Sequence, residues 1–199
     1  LMVARYGIDG VAAFTIINYL IFLSLMLSYG VADGLHLVVS QNYGARQLHR
    51  IRQFFLTAIS TVLLIGFAMV SGLLLFHESI IGLFLDPNAH KVGALANQLT
   101  FVIWPLFIVN GANIIFSCYL TAIQKPLPSI AIAVSRSLLL PAGLLVTLSW
   151  LLPQLPSFSL ATDSNDFLMA LPIAEWSTFI LAICLCLYFR PSKLLVENE

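Results

Sequence analysis

The chain has 199 residues, 60% of them hydrophobic and 9% charged, with nine basic and nine acidic residues giving a formal net charge of zero and a mean hydropathy of +0.97. Soluble domains carry about 25% charged residues, so this is a membrane-embedded chain, and the absence of a polybasic stretch argues against a nucleic-acid partner. Long charge-free runs fit helices that cross about 30 Å of hydrocarbon in about 20 residues rather than barrel strands of alternating polarity, so the fold class is an all-α integral membrane protein with one membrane domain over 1–199.

The first span is predicted over 11–42, about 48 Å long at 1.5 Å per residue, and therefore tilts or protrudes. It ends in "YGVADGLHLVVSQNYGAR" (29–46), where Gly44 suits a helix C-terminus, followed by the basic loop residues Arg46, Arg50 and Arg52. A second, charge-free span covers 54–76, with Ala68 and Gly72 at a spacing that permits close helix contact. Ile80, Ile81, Phe84 and Leu85 then predict a short interfacial helix closed by Asp86 and Pro87. The third span, 94–123, carries Pro105 near its middle and Asn110 and Asn113 on one face. The fourth, 129–152, contains Arg136 and Pro141, and Pro153 and Pro156 close it before the polar loop "SLATDSND". The fifth, 167–189, contains Pro172 and Glu175, and a polar tail follows.

Arg46, Arg50, Arg52, Lys125, Arg190 and Lys193 fall on one side of these spans and only Arg5 and Lys91 on the other. The positive-inside rule makes the first side cytoplasmic, with the N-terminus of this chain outside and the C-terminus inside. Five spans, an outside start without a signal-peptide pattern and an opening Leu1 lead us to expect at least one helix upstream. Cys118, Cys184 and Cys186 lie within spans, and their number and placement argue against a disulfide framework or a metal site.

Ionisable groups at membrane depth cost about 2.5 to 3.5 kcal/mol each on insertion scales, so they face a partner, a bundle interior or water. Glu175 lies about 12 Å from the outer end of its helix. A carboxylate in apolar surroundings can exchange a proton near neutral pH, so Glu175 is either a proton or cation site or a structural hydrogen-bonding group. Asp33 and Arg136 both fall near the cytoplasmic boundary and are expected to form a structural or gating pair. His36, one turn beyond Asp33, either relays protons or packs at the interface. Asn110 and Asn113 either meet substrate or bond across helices. Phe22, Tyr29, Phe101, Trp104 and Phe107 could wall a cation-accepting cavity. No HExxH, GxSxG or Walker pattern is present, and no catalytic residues, cofactor or enzyme activity are expected.

The segments "YGVADGLHLVVSQNYGAR", "LFLDP", "QKPLPS…SR" and "PIAE", in that order, resemble the multidrug and toxic compound extrusion (MATE) family, closest to the C-terminal lobe of its bacterial branch. That resemblance implies a twelve-helix transporter of two six-helix lobes in the bacterial cytoplasmic membrane. It would exchange small organic cations for protons or sodium. This chain would supply five helices of the second lobe, and the N-terminal lobe is expected in the same polypeptide. Glu175 and Asp33 match acidic positions associated with that branch, and Arg136 matches its "SR" element. The alternatives are a flippase for lipid-linked sugars, an intramembrane enzyme using Asp33 and His36, and a truncated chain without function.

Overall fold

The computed structural model describes residues 2–85, 89–151 and 166–189; the Asp86-Pro87 closure, nearly all of the "SLATDSND" loop, and the tail with Arg190 and Lys193 lie outside them. The described residues form helices without strands: α1 (Met2–Gly44), α2 (Leu48–Gly82), α3 (His90–Ile103), α4 (Leu106–Ala122), α5 (Pro126–Val134), a π-helical turn (Ser135–Leu139), α6 (Leu140–Leu151), a 3-10 turn (Asp166–Met169) and α7 (Ala170–Tyr188). Among them, four helices are long and apolar enough to cross a membrane, or five if the bent pair α3–α4 is one span.

Each irregularity has a local cause. Proline lacks an N–H and its ring clashes with the preceding turn, and at Pro105 the third span breaks into α3 and α4 with a bend of 55°. Pro141 acts similarly on the fourth span: the turn before it widens, and the Leu140 N–H reaches back five residues to the Ser135 carbonyl. The short helix expected around residues 80–85 is present as the segment beyond a kink at Phe76 (φ −125°, ψ 23°), continuous with α2 and ending at Gly82. At the end of α1 the left-handed residue is Arg46 (φ 54°), not Gly44. There the Gln47 N–H reaches the Asn42 carbonyl and the Arg46 N–H that of Tyr43, so a non-glycine closes a Schellman turn. Gln124 (φ 61°) does the same after α4.

Helix α4 is the centre of the bundle, with thirteen of its 17 residues buried and α1, α2, α5 and α7 packed around it. Two glycines let the backbones meet. A methyl group on Gly66 would lie 2.6 Å from the Phe107 carbonyl oxygen, and one on Gly111 would lie 2.7 Å from Ser28 Oγ, so α2–α4 and α1–α4 cross at small-residue contacts. One apolar cluster, including Ile17, Leu73, Leu99, Ile103 and Phe107, packs on the α3 side of the break. A second, including Val39, Ile51, Val62, Ile115, Leu120 and Ile132, packs on the α4 side. Asn110 lies at the seam between them. The span running from α5 through the π turn is the least covered of all, so few apolar contacts hold it to its neighbours.

Candidate functional site

The polar residues of the last three spans converge just past the Pro105 break. Asn110 and Asn113 leave α4 on the face toward α7 and are 1% and 0% exposed. Arg136 arrives from the π turn, which inserts an extra residue into the helix and so sets the direction of its side chain. Its Nε–H donates to Glu175 Oε1 at 2.9 Å and its Nη2–H to Asn110 Oδ1. Asn113 Nδ2 donates to Glu175 Oε2 at 2.7 Å and to the Glu175 backbone carbonyl at 2.9 Å. The ion-paired side chains are 16% and 11% exposed. Each Glu175 oxygen therefore accepts one hydrogen bond, and the guanidinium has both a counter-charge and a neutral acceptor. Satisfying a buried pair in this way offsets the several kcal/mol per ion that desolvation costs. One atom is left over: Asn113 Oδ1 is buried and has no hydrogen-bond partner.

Neighbouring contacts hold the group in place. Trp176, the residue after Glu175, donates its indole N–H to the Pro105 carbonyl at 3.1 Å, tying α7 to the break in the third span. Its ring stacks edge-on with Phe179, which packs on Phe116 of α4. Toward the C-terminal end of α4, Ser117 and Thr121 share hydrogen bonds with Ser129 of α5.

Beside this network a cleft of about 220 Å³ opens between α1 and α5, with α4 as its floor; it is lined by Tyr29, Asp33, Asn113, Cys118 and Arg136 among others. Asp33 is exposed and makes no ion pair or side-chain hydrogen bond among the described residues. Asp33 and Tyr29 are four residues apart and face the cleft together. The side chain of His36 is exposed on α1 outside this cleft, and its backbone carbonyl accepts from Ser40 Oγ at 2.7 Å.

The expected Arg136–Asp33 pair is corrected: Arg136 binds Glu175, and Asp33 faces it across the cleft. Depth permits the observed pair: the fourth span begins at Pro126, three residues before its expected start, so Arg136 lies about 15 Å into it, level with Glu175. The physical reason is neighbourhood, since α7 packs on α4, α5, α6 and the π turn, whereas α1 packs on α2, α3 and α4. Of the sequence candidates, Glu175, Asn110, Asn113 and Arg136 form one hydrogen-bonded group, Asp33 stands opposite, and His36 joins neither. Cys118, whose thiol donates to the Ala32 carbonyl at 3.0 Å, is a cleft residue that sequence reasoning passed over; its place five residues after Asn113 on the same helix was the available signal.

The model of the MatE family matches residues 1–147. None of the curated proteins matches the chain. Among solved structures, the chain resembles a MOP superfamily transporter from Pyrococcus furiosus, whose reverse polarity of binding pocket is said to suggest a different function, with a TM-score of 0.83 and 18% identity over 97% of this chain and 41% of that one. It also resembles an outward-facing multidrug resistance MATE family transporter of the same superfamily, with a TM-score of 0.75, 18% identity, and coverage of 97% of this chain and 41% of that one. A MATE crystallised in complex with MaL6 gives a TM-score of 0.76 and 18% identity, covering 100% of this chain and 42% of that one. The chain thus spans about two fifths of the length of these transporters, and at such identity the likeness shows the fold.

Proposed function

We propose that this chain, which belongs to the MatE family of transporters, forms part of a multidrug exporter that expels small organic cations in exchange for protons or sodium. The observation that carries the reading is the placement of Arg136 between two carboxylates. Arg136 binds Glu175 within the helix bundle and lines the same cleft as Asp33.

That arrangement supplies two mutually exclusive states. In the first, Glu175 is ionised and held by Arg136, and Asp33 is available to an organic cation in the cleft. In the second, Glu175 carries a proton. A protonated carboxyl has one acceptor oxygen and one O–H, yet Arg136 Nε–H and Asn113 Nδ2–H are both donors directed at it. One donor is orphaned and Arg136 loses its counter-charge, so the guanidinium turns to Asp33 and displaces the cation. Both states are neutral over these three side chains and the cation, so one proton exchanges for one cation. A shift between states requires this kind of differential binding. Sodium requires several oxygen ligands, and both Glu175 oxygens already accept hydrogen bonds, so the reading takes the proton as the coupling ion.

The Pro105 break and the widened turn at Arg136 are where backbone hydrogen bonding is already interrupted, so movement of the poorly covered α5–α6 span costs less there. The loop charges support a cytoplasmic side at Arg46, Arg50, Arg52 and Lys125, in the cytoplasmic membrane of a bacterium, with the remaining lobe supplied by the same polypeptide. The test is Glu175→Gln in the membrane-embedded protein. Loss of efflux driven by a pH gradient is expected; unchanged efflux with unchanged pH dependence overturns the reading.

A further inference from the structure

The amide of Asn113 is oriented by its partners. Both contacts of its nitrogen are to obligate acceptors, the Glu175 carboxylate and the Glu175 backbone carbonyl, so the branch facing α7 must be the NH2. The carbonyl oxygen is then the polar atom that Asn113 has left for the cleft it lines. It is buried and unpartnered, and the residue is 0% exposed. Of the nearby donors, Ser117 and Thr121 bond within the Ser129 group, Cys118 donates to the Ala32 carbonyl, and the Arg136 Nε–H and one Nη2–H are taken by Glu175 and Asn110; none is directed at Asn113 Oδ1. Besides Arg136, which is held by Glu175, the cleft thus presents a carboxylate at Asp33, the Tyr29 side chain and, at Asn113, a carbonyl acceptor without a partner.

We infer that the cleft selects cations bearing N–H donors, protonated primary or secondary amines, over quaternary ammonium ions, and that Asn113 Oδ1 is the residue atom that makes the distinction. A primary ammonium donates to Asp33 and to Asn113 Oδ1 together, whereas a trimethylammonium satisfies Asp33 by charge alone. It leaves the Asn113 carbonyl without a partner. Leaving a buried acceptor unpaired is the stronger form of discrimination, since a site built around a hydrogen bond rejects the analogue that lacks it. Tyr29 does not contribute, because a ring face attracts either kind of cation. The inference rests on reading the cleft as an organic-cation site.

The probes are 4-phenylbutylammonium and 4-phenylbutyltrimethylammonium, which differ only at nitrogen, titrated into the protein in lipid nanodiscs. The primary ammonium is expected to bind about tenfold more tightly or better. In Asn113→Leu the ratio of the two affinities should fall close to one. In Asn110→Ala, which loosens the same network but keeps Asn113 Oδ1, the ratio should persist. Equal affinities in the unmodified protein overturn the inference and leave the cation site standing. A ratio unchanged in Asn113→Leu, or lost equally in Asn110→Ala, also overturns it. Failure of both cations to bind the unmodified protein overturns the inference and the cation-site reading together.

Discussion

If Arg136 can pass from Glu175 to Asp33, the two carboxylates must be energetically coupled although they do not touch, and Glu175→Gln exposes that coupling. The glutamine side chain has one acceptor and one NH2, while Arg136 Nε–H and Asn113 Nδ2–H both point at it, so one donor is orphaned at a cost of about 1 to 3 kcal/mol. Arg136, only 16% exposed, also loses its counter-charge; stranding one member of a buried pair costs about 3 to 5 kcal/mol. Relocation to Asp33 removes most of the second cost. Glu175→Gln alone should therefore destabilise by about 1 to 3 kcal/mol, that of the orphaned donor. Asp33→Asn alone, with no ion pair to break, should lie within about 0.5 kcal/mol of zero. The double variant should lose about 4 to 8 kcal/mol, the orphaned donor together with the stranded buried charge. Unfolding in mixed detergent micelles followed by tryptophan fluorescence measures all three, and the double loss should exceed the sum of the singles by about 3 to 5 kcal/mol. Additivity within about 0.5 kcal/mol would refute the exchange of Arg136 between the carboxylates.

Three further outcomes follow from the packing. Gly66→Ala places a methyl 2.6 Å from the Phe107 carbonyl oxygen, a backbone atom that cannot step aside, and should cost about 1 to 3 kcal/mol in the same unfolding assay. Gly72→Ala, with nothing within 4 Å, should be neutral or stabilising by up to about 1 kcal/mol. Gln124→Gly relieves the left-handed strain at φ 61° and should stabilise by about 1 kcal/mol.

The spans themselves were legible because lipid imposes a simple rule: twenty or so apolar residues, interrupted where proline removes a donor. Pro105 announced the break between α3 and α4, and Glu175, Asn110 and Asn113 stood out as polar groups where each must find a partner. The choice of partner was less legible. Counting residues along a helix gives height in the membrane but not which helix lies beside which. Asp33 and Arg136 do share a depth, since they line one cleft, but that depth is also Glu175's, and height alone does not choose between the two carboxylates. Consecutive spans are usually neighbours, and that rule, applied to Arg136 on the fourth span and Glu175 on the fifth, would have favoured the pair observed. The closeness of the next helical turns to α2 was hidden because His77 and Glu78 end the apolar run, while the helix resumes directly after the kink at Phe76. Nor does sequence reveal which glycines sit at crossings. Ala68 and Gly72 have the recognised spacing, yet Gly66 and Gly111 make the close approaches, since only the packed geometry decides which face of α2 meets α4.

The central claim is that a proton on Glu175 and an organic cation at Asp33 exclude each other through Arg136. Proton release on cation binding tests it most directly, measured by titration calorimetry of the protein in nanodiscs in buffers of different ionisation enthalpy, over a range of pH. The account predicts about one proton released per cation bound, since binding at Asp33 returns Arg136 to an ionised Glu175, and none released in Glu175→Gln. Tight cation binding without proton release from the unmodified protein, or the same release from Glu175→Gln, would contradict it.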